Sequence, residues 1–171
     1  MEKCRWLDEY MMFVDKVREY LRSYGLEDRV MEFGISTATV AEAAEAVGVI
    51  PARIAKTLSF QSEECGCILV LMAGDAKVDN KKYRARFGVK PHMLTHEDAL
   101  QYTGHAVGGV CPFAVPDSVP VYLDVSLKRF DTVFPAAGSA ASAVRLTCDE
   151  LERASRSRGW IDVCKGWEEN Q

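Results

Sequence analysis

Apolar side chains recur at helical spacing near the start of the chain. They are Leu7, Tyr10, Met11, Val14, Val17 and Leu21, with Asp8, Glu9, Asp15, Arg18, Glu19 and Arg22 between them. One apolar stripe on a charged cylinder predicts an amphipathic helix over residues 5–24, packed by that stripe against a larger body. Gly25 is its predicted stop. Thr39-Val-Ala-Glu42 has capping-box spacing and opens a second, alanine-rich helix, which Gly48 closes and Pro51 keeps from continuing. The pattern then changes. Residues 56–60 read as a strand, and residues 67–72 form an unbroken apolar run of strand length. Such a run predicts a central strand buried on both faces. Gln-Ser-Glu-Glu-Cys-Gly between the two predicts a hairpin.

A basic helix follows over residues 80–87, ended by Gly88. A fourth helix starts at Thr95, with Asp98 three residues on, and stops at Gly104. After a Gly- and Pro-containing stretch to Pro120, residues 121–125 read as a strand, with shorter strands at 132–134 and 143–146. Thr147-Cys-Asp-Glu150 is another capping box, leading a helix to about Ser157, and residues 160–164 read as a final edge strand. Strands and helices do not alternate steadily. That predicts an α+β domain on a mixed or antiparallel sheet rather than a doubly wound parallel one.

Composition adds little to the fold and something to function. The 171 residues are 48% hydrophobic and 27% charged, ordinary for a globular domain. The net charge of −4 excludes wrapping a long nucleic acid by global charge. Yet Lys77, Lys81, Lys82, Arg84, Arg86 and Lys90 fall close together, opposed within that stretch only by Asp79. Both a solvated helix face and a local phosphate-holding patch fit them. The six cysteines contain no Cys-x-x-Cys pair, and Cys65 and Cys67 do not have zinc-knuckle spacing. No segment approaches the roughly 18 apolar residues that span a bilayer, and the start has no uncharged apolar stretch of signal-peptide length. These features read as a cytoplasmic protein with reduced thiols, without membrane or DNA partners.

The most unusual local segment is Thr103-Gly-His-Ala-Val-Gly-Gly-Val-Cys-Pro-Phe113. Gly108 and Gly109 would let backbone N–H groups face a ligand unobstructed, as the oxyanion of an ester's tetrahedral intermediate requires; a plain structural turn also fits. Lys56 opens an otherwise apolar strand. It suits either contact with a phosphate in a cleft or extension to water. Cys111 as a nucleophile would need a nearby base and a depressed pKa, and no spacing rule ties it to His105. His92 and His96 are four apart but separated by the predicted cap at Thr95, so no metal site is expected. Walker, dinucleotide and nucleophile-elbow motifs are absent.

Four blocks in order carry a resemblance: Ala55-Lys-Thr-Leu58, Val78-Asp-Asn-Lys-Lys82, Thr103-Gly-His-Ala-Val-Gly-Gly109 with Cys111-Pro112, and Pro135-Ala-Ala-Gly-Ser139. Together they resemble the YbaK/EbsC family, the aminoacyl-tRNA editing domain also inserted in bacterial prolyl-tRNA synthetases, over roughly residues 35–165. The resemblance implies a mixed, partly closed β-sheet or barrel flanked by helices. It also implies an ester hydrolase, an aminoacyl-tRNA deacylase, acting on the 3′ end of a mischarged tRNA. On this reading residues 1–30 are a helical extension and residues 31–171 the editing domain. Lys56 matches the family's essential lysine, and Gly108, Gly109 and Pro112 match its catalytic loop. Thr57, His105, Cys111, Gly138 and Ser139 fall at substrate-binding positions. Lys77, Lys81, Lys82, Arg84 and Arg86 would form the nucleic-acid patch. No cofactor or metal is implied, and a partner synthetase is.

Two departures stand out. Cys111 replaces a serine that better-known bacterial members carry. The late Gly-Gly-x-Arg-Gly run is Ala137-Gly138-Ser139-Ala140-Ala141 here, without its arginine. A synthetase rejects a slightly smaller amino acid by only about 10- to 200-fold, so a second site must remove the error. Cysteine, alanine and serine are the expected targets, on tRNA-Pro or a similar tRNA. The alternative is a non-catalytic adaptor of the same fold that binds the tRNA end or a synthetase.

Overall fold

The computed structural model describes residues 2–106 and 108–170, with side chains over 11–106 and 108–169. Helix α1 (Glu2–Arg22) opens the chain. Val14, Val17 and Leu21 on its stripe are fully buried, while Met11 is exposed. The stripe's Leu7 and Tyr10 lie outside the described side chains. Strand β1 (Val30–Glu32) precedes α2 (Val40–Val47), where the Thr39–Glu42 capping box forms as its spacing predicts.

Strands β2 (Ile54–Ser62) and β3 (Gly66–Ala73) make the expected hairpin, with Ala55 opposite Ala73 and Ser62 opposite Gly66. From Cys67 to Ala73 every residue of β3 is buried, as an unbroken apolar run dictates for a central strand. Strand β4 (Lys77–Val78) leads to α3 (Asn80–Phe87), capped by the Asp79 carboxylate on the N–H groups of Lys81 and Lys82. Helix α4 (His96–Thr103) follows, with Thr95 as its cap. Then come β5 (Val121–Asp124), β6 (Thr132–Pro135), β7 (Ser142–Val144), β8 (Leu146–Thr147), α5 (Cys148–Ala154), β9 (Trp160–Ile161) and β10 (Cys164–Lys165).

The main sheet runs β8-β6-β2-β3-β5-β9. It mixes parallel pairs (β2 with β6, β3 with β5, β5 with β9) with antiparallel ones (β2 with β3, β6 with β8). Antiparallel pairs β1–β7 and β4–β10 form two separate two-stranded sheets. The result is the mixed, partly closed α+β sheet flanked by helices. Val17 and Leu21 of α1 join the central core with Leu69, Leu71, Phe113 and Leu123.

The strand expected over residues 143–146 is two. Val144 still pairs with β1, Arg145 turns out to solvent, and Leu146 pairs with β6. The edge strand expected over 160–164 also divides. The N–H of Val163 goes to the buried Asp124 carboxylate at 2.9 Å instead of to a ladder, so β9 ends there and β10 joins β4. Asp124 also takes Val125 out of its expected strand, since its other oxygen caps the short 3-10 helix Val125–Arg129 through the N–H of Ser126. The last helix stops at Ala154 rather than near Ser157, and Arg156 has φ of 50°.

Candidate active site

Strand β2, the turn into α2, the start of α4 and the segment after it enclose a cleft of about 350 Å³. Its walls are mostly apolar, with Val40, Ile54, Leu94, Val110 and Phe134 among them. Lys56 and Thr57 line it from β2, and Gly108 lines it from the loop after α4. Residues from two distant sequence blocks therefore face one cavity of ligand-binding size.

Lys56 is half-buried. Its ammonium donates to the carbonyl oxygens of Gly74 (3.3 Å) and Ala76 (2.5 Å), in the turn that ends β3. Between those two residues stands Asp75, whose carboxylate takes a two-armed ion pair from Arg129 at 2.6 and 3.0 Å. Gly74 is needed there because a Cβ would come within 2.0 Å of the Pro51 carbonyl oxygen. Burial lowers the pKa of Lys56, an effect opposed by Cys164 and Asp75 and reinforced by Lys77. An ammonium has three N–H donors, and two are spent on the turn.

The glycine pair divides its work. Gly108 has φ of 79°, and a Cβ there would meet Ala140 Cβ at 2.8 Å and Ala38 Cβ at 3.1 Å. It is the glycine that faces the cleft. Gly109 is packed against backbone: a Cβ would sit 2.6 Å from Gly138 and from the Ser139 nitrogen, and its own N–H donates to the Ala106 carbonyl at 3.0 Å. Gly138 is pressed in turn by α1, with Phe13 O 2.7 Å and Val17 Cγ2 2.9 Å from where its Cβ would be. Ser139 is buried and bonded to Ser142 at 3.0 Å. The segment that departs from the Gly-Gly-x-Arg-Gly pattern thus lies beneath α1, behind the loop.

His105, Cys111 and Pro112 are buried and do not line the cleft. Pro112 borders a separate, smaller hollow with Asp117 and Arg156. His105 Nε2 lies 2.7 Å from the Phe113 carbonyl oxygen, which can only accept, so that nitrogen carries the proton. It cannot then act as a base toward Cys111 Sγ at 3.5 Å. Burial also lowers the His105 pKa and pushes the Cys111 thiol up to about 12. A protonated thiol beside a proton-donating imidazole is not an activated nucleophile.

The basic residues separate by partner. Lys82 bonds Asp162 at 3.0 Å and the Cys164 carbonyl at 3.0 Å, tying α3 to the C-terminal strands. Arg86 stacks over Phe87 and Tyr122, 5.1 and 5.3 Å from the ring centres. Lys81, Arg84 and Lys90 instead border a shallow surface hollow. Lys77 stands directly across from Lys165 in the β4–β10 pair, a juxtaposition of like charges that normally costs stability.

Thr37 and His96 also line the cleft, and neither stands out in the sequence as a site residue. Thr37 belongs to no motif, and His96 is notable there only as half of a possible metal pair. Among the described residues no group of three His, Cys, Asp or Glu side chains could hold a metal ion.

Residues 36–154 match the family described as the aminoacyl-tRNA editing domain. "Uncharacterized protein YwhH" of Bacillus subtilis is 54% identical over 157 residues, which are 92% of this chain and 100% of that protein. "Putative Cys-tRNA(Pro)/Cys-tRNA(Cys) deacylase EbsC" of Enterococcus faecalis is 28% identical over 109 residues, 63% of this chain and 66% of its own. The solved structure described as "Crystal structure of a putative trans-editing enzyme for prolyl tRNA synthetase" superposes with a TM-score of 0.80 at 32% identity, over 90% of this chain and 97% of that one. The chain belongs to the aminoacyl-tRNA editing domain family.

Proposed function

We propose that this protein is a trans-editing deacylase, which hydrolyses the ester joining a wrong amino acid to the terminal adenosine of a tRNA. The observation that carries this reading is the convergence of Lys56, Thr57 and Gly108 on one apolar cleft in a chain of this family. The third N–H of Lys56, left over from the Gly74–Ala76 turn, reaches a phosphate or ribose oxygen of the tRNA end. Gly108 carries no side chain of its own and holds its loop in a left-handed turn, so backbone dipoles meet the scissile carbonyl and the attacking water. Gly109, Gly138 and Ser139 act from behind, fixing that turn in place. Catalysis then comes from positioning and preorganised dipoles, with no acylated side chain and no role for the Cys111 thiol.

The amino acid is a small one, of the cysteine, alanine or serine class, carried by tRNA-Pro or a similar tRNA. The cations Lys77, Lys81, Arg84 and Lys90 hold phosphates next to the acceptor end, and a synthetase supplies the remaining tRNA affinity. A screen of Cys-, Ala- and Ser-tRNA-Pro tests the proposal. Loss of the acyl bond over many turnovers per protein molecule is expected. Binding of tRNA with every ester left intact would contradict it and favour the adaptor.

A further inference from the structure

The turn that holds Lys56 is anchored by chain beyond the family span. Residues 36–154 match the family, and the chain goes on through β9 and β10 to Trp167. Strand β10 pairs with β4, which sets Lys165 across from Lys77, the residue after Ala76. Trp167 comes two residues later. Its carbonyl oxygen accepts from Arg129 Nη1 at 3.3 Å, and its ring centre lies 5.1 Å from the Arg129 Cζ. Arg129 spends four of its five N–H donors inside the fold. Two go to the Asp75 carboxylate, one to the Trp167 carbonyl, and one from Nε to the Ser126 carbonyl at 3.0 Å. Ser126 is buried, and its hydroxyl accepts from the N–H of Ala73, the last residue of β3. The Arg129 and Asp75 side chains are 11% and 16% exposed, so water and salt screen their pairing little.

Both carbonyls that take the Lys56 ammonium depend on this arrangement. The Gly74 carbonyl belongs to the peptide unit shared with Asp75, and the Ala76 carbonyl to the unit shared with Lys77. Arg129 fixes the first through the Asp75 side chain, and β10 fixes the second through its ladder with Lys77. A peptide unit is planar and stiff, so each anchor sets where its carbonyl oxygen points. The two oxygens then set where the ammonium stands. A guanidinium fork grips a carboxylate in one plane, which the point charge of a lysine does not do. Trp167 supports that fork with a ring face and a backbone acceptor. Neither Arg129 nor Trp167 lines the cleft, so whatever they contribute to the reaction passes through Lys56.

We infer that Arg129 and Trp167 are positioning residues for Lys56: by locking Asp75, they hold the turn whose carbonyls place the ammonium. This rests on the deacylase reading above. The test measures single-turnover ester cleavage by the wild-type protein, Arg129→Lys and Trp167→Leu, each with and without Lys56→Ala. Spontaneous hydrolysis is subtracted, and melting temperature is followed throughout. Arg129→Lys is expected to slow cleavage by about 10-fold and Trp167→Leu by about 3-fold. In the Lys56→Ala background neither is expected to slow it further, because the group they position is gone. Equal slowing with and without Lys56 would make both residues merely structural and overturn the inference. A second readout needs no substrate. In protein carrying carbon-13-labelled lysine, the Lys56 Cε signal is identified by its loss in Lys56→Ala. It is expected to shift in both Arg129→Lys and Trp167→Leu. A signal that stays in place in both overturns the inference even if cleavage falls. A wild-type protein that cleaves no mischarged tRNA would instead remove the deacylase reading, and the lysine signal alone would then decide whether Arg129 and Trp167 position Lys56.

Discussion

Single side chains in this protein are defined by what burial leaves them to bond. Lys56 spends two donors on the Gly74–Ala76 turn, and the same turn presents Asp75 to Arg129, so its position is set by a network rather than by one contact. His105 is the clearest titrating case. Burial lowers its folded pKa below the ordinary value of about 6.5, so the unfolded chain takes up a proton first as pH falls. Its contribution to stability is therefore complete above about pH 6.5 and shrinks as the medium becomes more acid. The melting temperature is expected to drop between about pH 7.5 and 5.5, and His105→Gln to flatten that slope. An unchanged slope in the variant would speak against it. Lys56 is legible in the sequence because a lysine opening an apolar strand stands out. Thr37 is not, because it belongs to no motif and reaches the cleft only through the course of the chain into α2.

At the scale of elements, the loop around Gly109 is held by backbone contact. Gly109 meets the backbone of Gly138 and Ser139, and Gly138 meets the Phe13 carbonyl and the Val17 side chain of α1, so three segments touch at two glycines. Gly109→Ala forces a Cβ to within 2.6 Å of that backbone and is expected to cost about 1–3 kcal/mol in chemical denaturation, as overpacking does. Thr57→Ala, which adds no atoms, serves as the comparison; equal stability of the two variants would show that the loop yields easily. Long or strongly patterned elements are readable from the residues alone. The stripe of α1, the apolar run of β3, the hairpin and both capping boxes each stem from local chemistry that the sequence displays. The two- and three-residue strands are not readable in this way. Arg145 and Asp162–Val163 mark places where the chain changes partners, and the second change is dictated by a distant group, the buried Asp124 carboxylate.

Across the whole molecule, the cleft and the basic face are joined through one turn. Ala76, whose carbonyl takes the Lys56 ammonium, is followed directly by Lys77, which stands across from Lys165 and leads into α3 with Lys81 and Arg84. The net charge is −4, yet this face collects cations. Replacing Lys81 and Arg84 by Gln is expected to raise KM and to flatten its dependence on salt. The log–log slope should fall by about 0.7–0.9 for each phosphate no longer held, with kcat retained. A salt slope identical to the wild type would take this face out of tRNA binding. Four ordered blocks are enough to point to this family, because the turn, lysine and loop each demand particular residue types. The covering of Gly138 by α1 is not visible in them, since it depends on how a separate helix packs. The role of Lys56 is tested most directly by the single-turnover rate of ester cleavage on the mischarged tRNA that the wild-type protein cleaves fastest, measured beside Lys56→Ala with folding monitored in both. A fall of at least about 100-fold is expected in a variant that remains folded. A Lys56→Ala protein that cleaves as fast as the wild type would contradict the mechanism.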